Sequence, residues 1–207
     1  MGLDVRAGDV IVRVPIDALR PTQTSVGMRS VKRKQLKIRD RGQRGLDKVL
    51  RARPIPAVRG PGGELFIIDH HHFGLALWQA DVSDVYARVI ADRSRVSQPV
   101  FWRRMEADGR LYPFDERGER IRYDRLPAHL SELRHDPYRD IAWQVREAGG
   151  FEKSLIPYAE FRWANFFRER IPLARVRGDF DAAVGRAMRL SRCRSAADLP
   201  GYLGRDN

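Results

Sequence analysis

The feature that most constrains this chain is a short block in which a strand, a polar run and a helix follow one another without a linker. Glu64–Ile68 is mostly apolar and leads into Asp69-His70-His71-His72. Phe73-Gly74-Leu75-Ala76-Leu77-Trp78 then places apolar residues at helix-compatible spacing. Just upstream, Gly60-Pro61-Gly62-Gly63 is a turn signal of the kind that joins two strands. A strand that turns directly into a helix presents the helix's first backbone N–H groups, which lack intrahelical partners and sit at the positive end of its dipole. Such a junction is suited to an anion, and three of the chain's five histidines lie on it. It is the candidate active or ligand-binding site.

The flanking segments give the block its setting. Residues 10–19 are rich in β-branched side chains and read as a strand, after which Arg20-Pro21-Thr22-Gln23 turns. Residues 29–51 are helical in character, with an interruption expected at Gly42 or Gly45. Pro54–Arg59 reads as a strand paired with Glu64–Ile68 across the glycine turn. The helix after the histidines runs to about Ala80, and Val82–Ile90 gives a final strand. Beyond Ser94 aromatic residues become frequent and β-branched runs disappear. Helices are expected over Val100–Ala107, Tyr138–Ala148 (opened by Asp136-Pro137, closed by Gly149-Gly150), Pro157–Arg170 and Asp179–Arg192. The expected architecture is α+β, with a first domain over residues 1–95 and a mainly α-helical second domain over 96–207 packed on it.

Composition bounds the functional classes. No run of about 18 apolar residues is present, so no membrane helix is expected, and the N-terminal residues carry no secretory signal. The single cysteine, Cys193, cannot form an internal disulfide and suits a reducing cytoplasm; it reads as a bystander. The net charge is +12, supplied mostly by arginine, since lysine occurs only at 32, 34, 37, 48 and 153. Residues 29–41 concentrate that charge with one acid among them. They are either a solvated helix face or a surface facing phosphates or a polynucleotide.

Several segments together resemble a known superfamily. They are Val14-Pro15-Ile16-Asp17-Ala18-Leu19-Arg20-Pro21, Leu46-Asp47-Lys48-Val49-Leu50, Ile55-Pro56-Ala57-Val58 and Leu65–Trp78. Their order resembles the N-terminal domain of ParB-type proteins, the superfamily that includes sulfiredoxin and the free serine kinases, over roughly residues 10–92. The later half resembles the bacterial ParB-like putative nuclease subgroup through Tyr112-Pro113-Phe114-Asp115, Asp136-Pro137-Tyr138-Arg139 and Ala159-Glu160-Phe161-Arg162-Trp163-Ala164. The resemblance implies a sulfiredoxin-like fold, a small mixed sheet with helices. It also implies that the strand–helix junction grips nucleotide phosphates. ParB proteins carry Gly-Glu-Arg-Arg there, sulfiredoxins Gly-Cys-His-Arg and free serine kinases Asp-Gly-His-His-Arg; Asp69-His70-His71-His72-Phe73 looks most like the last. A gapless alignment puts His70 and His71 on the kinase histidines, whereas a one-residue shift puts Asp69 on the kinase aspartate. Two departures stand out. Gln23 occupies the turn where the kinases carry a glutamate base, and a glutamine cannot deprotonate a hydroxyl. The ParB arginines are missing, and no helix-turn-helix is recognisable after residue 95.

These residues carry the expectations for the site. Asp69 is a general base, a magnesium ligand or an N-cap for the following helix. His70 and His71 are catalytic or bind phosphate, and His72, which also lies on the phosphate motif, is the histidine expected to pack inside. Arg20, Lys32 and Lys34 complete a phosphate shell, with Lys37 beside them, while Thr22 and Gln23 position an acceptor. A zinc site would need further ligands such as His129 or His135. Trp78 and the aromatics of 158–167 are expected in the core. The leading reading is a cytoplasmic protein that binds a nucleoside di- or triphosphate and, with Mg²⁺, transfers its terminal phosphate to a small-molecule acceptor or hydrolyses it. The alternative is a DNA-binding or nuclease-like protein using residues 29–41. A nucleotide-gated interaction module without turnover is the third.

Overall fold

Residues Ile55, Pro56, Ala57 and Val58 are all buried, and the strand they form lies in the middle of the sheet. The computed structural model describes residues 9–204, apart from the side chain of Gln43. In chain order the elements are β1 (Val10–Pro15), β2 (Leu19–Pro21), β3 (Ser25–Val26), α1 (Met28–Arg39), α2 (Gly42–Ala52), β4 (Ile55–Arg59), β5 (Leu65–Ile67), α3 (His71–Trp78) and β6 (Asp84–Asp92). They continue with α4 (Gln98–Ala107), β7 (Arg134–His135), α5 (Pro137–Glu147), α6 (Ala159–Arg168), α7 (Leu173–Gly178) and α8 (Phe180–Ser191). Among the described residues, no helix is long and apolar enough to cross a membrane.

By their contacts the described residues fall into two units. The first holds the chain up to Val26 together with Val31–Arg134; the second holds Gly27–Ser30 and the chain from His135 onward. The compositional change near residue 95 falls inside the first unit, because α4 returns to the sheet: Phe101, Trp102 and Met105 pack with Val58 and Phe66. Burying a side chain such as Phe101, which is wholly inaccessible, contributes about 2–3 kcal/mol.

The five-stranded sheet of the first unit has the order β1-β6-β4-β5-β2. It is mixed: β6 and β4 are parallel, as are β5 and β2, while β1 with β6 and β4 with β5 are antiparallel. The β4 register shifts against β6 between Ala57 and Val58. That irregularity sits beside Pro56, which has no N–H to give to the ladder. The glycine turn forms the expected hairpin, with Gly60 N–H donating to Glu64 O at 2.8 Å. Gly60 itself has no room for a side chain, since a Cβ there would lie 2.5 Å from the Phe66 ring. The helical stretch 29–51 divides at Gly42, whose φ of 60° favours glycine.

The second unit is built on aromatic packing. Tyr138, Ile141 and Val145 of α5 meet Trp163, Phe166 and Phe167 of α6, and Ala183 and Ala187 of α8 join the same core. Phe151 stacks on Trp163 with ring centroids 4.3 Å apart, so the aromatics of α6 lie in the core as the sequence led us to expect. The helix ends follow the sequence signals. Asp136 accepts the Tyr138 N–H at the start of α5, and Asp179 accepts the Ala182 N–H at the start of α8. At the end of α5, Gly149 has φ 78° and Gly150 N–H reaches back to Val145 O, the pattern of a helix closed by glycine. Trp78 departs from expectation. It is 37% exposed, and its indole N–H donates to Asp17 at the surface, because the last turn of α3 rotates it off the buried face that holds Leu75, Ala76 and Leu77.

Candidate functional site

Three consecutive histidines meet three different environments. His71, the first residue of α3, is 5% exposed, and its Nε2 lies 3.1 Å from the backbone nitrogen of Thr22. A backbone N–H can only donate, so Nε2 is the acceptor and the ring proton of neutral His71 sits on Nδ1. The Thr22 hydroxyl donates to Ile67 O at 2.7 Å. These bonds tie the turn after β2 to the β5–α3 junction. The expectation that His72 is the buried histidine is corrected: His71 is, and His72 is half-buried. The same bond leaves Nε2 of His71 engaged within the fold rather than open to a phosphate.

His70 sits one residue earlier, at the N-cap position, with φ 65° and ψ 19°. A left-handed conformation is uncommon outside glycine and costs about 1 kcal/mol, with histidine among the residues that tolerate it best. Its carbonyl accepts the Gly74 N–H, which starts the helix. The backbone N–H of His70 is taken by Asp69 Oδ1 at 2.6 Å. Asp69 therefore braces the junction from one residue before the N-cap, and the expectation that it caps α3 is corrected. Nδ1 of His70 is buried and without a hydrogen-bond partner. Burial pushes the pKa of His70 below the ordinary imidazole value; Asp69 opposes that shift, and the positive charges of Arg53, Arg88 and Lys34 add to it. Phe73 stands beneath the group, its ring edge-on to His70 at 6.2 Å and carrying the Arg53 guanidinium at 5.6 Å.

The chemistry of this arrangement is that of an anion site. A helix N-terminus, three cationic side chains and a neutral imidazole act on one point, where a phosphate oxygen would meet donors and favourable potential. Arg53 and Arg88 escaped the sequence reading. A signal for Arg88 was present: it is a charged residue inside Val85-Tyr86-Ala87-Arg88-Val89-Ile90, and it is 5% exposed with Asp9 at 3.8 Å.

Other expected members of the site are committed elsewhere. Thr22 and Gln23 are 2% and 7% exposed, and the Gln23 side-chain amide donates to Ser25 O at 2.8 Å. Both fasten a turn whose backbone also accepts Tyr112 N–H at Thr22 O and Arg134 N–H at Thr24 O. Arg20 forms an ion pair with Glu64 at 2.7 Å and lies 6.0 Å from the Phe66 ring. The lysines divide, with Lys34 half-buried and acting on His70 while Lys32 is exposed on α1. Among the described residues no three His, Cys, Asp or Glu side chains converge as metal ligands. Asp69 stands among cations, and His135 is bonded to Asp140 at 3.1 Å. The donor set thus fits neither zinc nor a protein-built magnesium site.

A second electropositive feature lies on α1 and α2. Val31 and Ile38 turn inward, while Lys32, Arg33, Lys37 and Arg39 are exposed, and Arg44, Lys48, Arg51 and Arg53 continue the exposed charge along α2 and just beyond it. From residue 28 to residue 53 the chain has eleven basic residues and two acids. These 26 residues hold nine of the twelve net positive charges.

Comparison with known proteins agrees with this architecture. The family described as Putative ParB-like nuclease matches residues 12–169. The crystal structure of protein Atu1540 from Agrobacterium tumefaciens is similar, at 37% sequence identity and a TM-score of 0.89, over 96% of this chain and 100% of that one. No curated protein matches the chain. With a family match across most of its length and a mixed five-stranded sheet beneath it, this chain belongs to the ParB-like family described as Putative ParB-like nuclease.

Proposed function

We propose that this protein binds DNA through the exposed face of α1 and α2 and acts there as a nuclease-like member of its family. The observation that carries this reading is the concentration of nine of the twelve net charges in residues 28–53. An excess that large within two helices cannot be neutralised by the two carboxylates among them, and a phosphodiester backbone supplies the matching charge. His70 is the residue best placed for chemistry on such a backbone. Its depressed pKa keeps the imidazole neutral near pH 7, able to accept a proton, while Lys34, Arg53 and Arg88 favour the phosphate beside it. The test is fluorescence anisotropy with a labelled duplex over a series of salt concentrations. A binding constant that falls steeply with salt, together with Mg²⁺-dependent nicking of plasmid that is lost in His70→Asn, supports both halves. Salt-independent or undetectable binding overturns the reading.

A second reading rests on His70 itself. The buried, unpartnered Nδ1 at the N-terminus of α3 fits the terminal phosphates of a nucleotide. Thermal denaturation with ATP, CTP and GTP, with and without Mg²⁺, tests it. Stabilisation by one of them that disappears in His70→Asn identifies a nucleotide-binding protein. Transfer to an acceptor held on the β2–β3 turn has little support, since Thr22 and Gln23 are bonded within the fold.

A further inference from the structure

A cavity of about 620 Å³ opens between α4 and residues 120–124 of the first unit. Its walls are Pro99, Trp102, Ile121 and Tyr123, with the guanidinium groups of Arg120 and Arg122 at their side. We propose that it takes an unpaired base of a single DNA strand. The inference rests on the nucleic-acid reading above and names a ligand that the basic helices alone do not.

Three observations carry it. The cavity has one aromatic wall: the Trp102 and Tyr123 rings, 6.1 Å apart and 30° from parallel, pack on each other, so a base would lie over the pair and not between its rings. Every base has a π face, so such a wall accepts a base without reading its identity. The walls are also fixed in advance. Glu106 accepts both Arg120 guanidinium nitrogens at 2.6 and 2.9 Å and the Tyr123 hydroxyl at 2.5 Å. From behind, Phe66 and Phe101 pack on Trp102 at 5.0 and 4.9 Å. Little ordering is left for a ligand to impose. Third, the side chain of Arg122 is 83% exposed and pairs with Asp124. Exposed pairs of that kind are weak, so the guanidinium can exchange its carboxylate for the phosphate attached to an entering base. A paired base has both faces stacked in the duplex and cannot enter; an unpaired one can.

The experiment compares a labelled dT12 strand, a 12-base-pair duplex and free dTMP against the full chain and two variants, Tyr123→Ala and Tyr123→Phe. Loss of on the order of tenfold in dT12 affinity in Tyr123→Ala, retention in Tyr123→Phe and unchanged duplex binding in both is the expected result. Arg122→Ala, at an exposed position, serves as a second variant with little effect on folding and is expected to weaken dT12 severalfold. Unchanged dT12 affinity in Tyr123→Ala and Arg122→Ala overturns the proposal while leaving duplex binding on α1 and α2 intact. If dTMP alone saturates the cavity and dT12 binds no better, the site serves free nucleotides and the strand assignment falls. If neither dT12 nor duplex binds the unaltered protein, the nucleic-acid reading itself fails, and this proposal with it.

Discussion

Arginine serves opposite ends in α1–α2 and in the second unit. On the two basic helices the side chains lie at the surface and outnumber nearby carboxylates, so their charge is directed at solvent or at a partner. In the second unit Arg139, Arg146, Arg168 and Arg170 are part of the packing, while others such as Arg175 and Arg186 are exposed. Arg139 is 5% exposed and lies 3.4 Å from the Phe161 ring centroid. Arg170 lies 3.9 Å over Phe166 and also meets Glu169, and Arg146 is bonded to both Glu160 and Glu147. Arg168 reaches the buried carboxylate of Asp136 at 2.5 Å and sits over Tyr138. The contrast shows that net charge counted along a sequence overstates how much of it faces a ligand. Planar guanidinium groups also cover aromatic rings and hold buried acids. Only where basic residues outnumber acids locally, and the structure leaves them exposed, does the excess point outward.

That contrast can be broken, most severely at Arg168. Burial pushes the Asp136 carboxyl up, and Arg168 is the first of the charges that hold it down. Arg168→Ala should therefore cost about 3–5 kcal/mol by leaving a buried carboxylate with only the Tyr138 N–H and the more weakly acting Arg139, lowering the melting temperature by about 10 °C. A scanning-calorimetry shift of only a degree or two would mean that arginines of the second unit are as dispensable as surface ones. On the other side, Lys32→Glu/Lys37→Glu/Arg44→Glu should leave stability nearly unchanged, within about 0.5 kcal/mol per site. It should weaken duplex binding by roughly a hundredfold or more and reduce the salt slope by about three units, as anisotropy will show.

At the junction itself the effects are smaller. His71→Ala removes the acceptor of a buried N–H and should cost about 2–3 kcal/mol in urea denaturation. A negligible change would return His71 to the list of ligand-facing residues. The least effect concerns pH. The folded-state pKa of His70 is depressed, so on acidification the unfolded chain takes up this proton first, at about pH 6.5. His70 therefore contributes stability that is present above that value and is lost as pH falls from it toward the folded pKa. His70→Asn, which keeps a residue tolerant of left-handed backbone, should flatten this part of the profile of melting temperature against pH. A profile unchanged by the substitution would remove His70 as its source.

Much of the fold was legible in the sequence because it is written in local signals. The glycine turn, the Asp136 and Asp179 caps and the closing Gly149-Gly150 pair act within a few residues of one another. The site was legible only as a location. Asp69-His70-His71-His72 marked the junction, but nothing in the run distinguished His71, whose Nε2 serves Thr22, from His70, whose Nδ1 is left buried and unpartnered. Thr22 lies 49 positions from His71, and their bond exists only because β2 runs parallel to β5. Gln23 looked like a substrate-side residue for the same reason: its family position was visible, its burial was not.

The sequence by itself marked the longer strands and helices, the polar strand–helix junction and the basic segment, since each depends on spacing, caps or composition over short stretches; β3, β7 and α7 carried no such signal. Tertiary structure alone decided which histidine is a brace, that Arg53, Arg88 and Lys34 act on one imidazole, and that Trp78 faces solvent. The reason is physical. Burial and the field at a titratable group are sums over neighbours brought in by the chain's long-range pairing, and no local pattern encodes that sum.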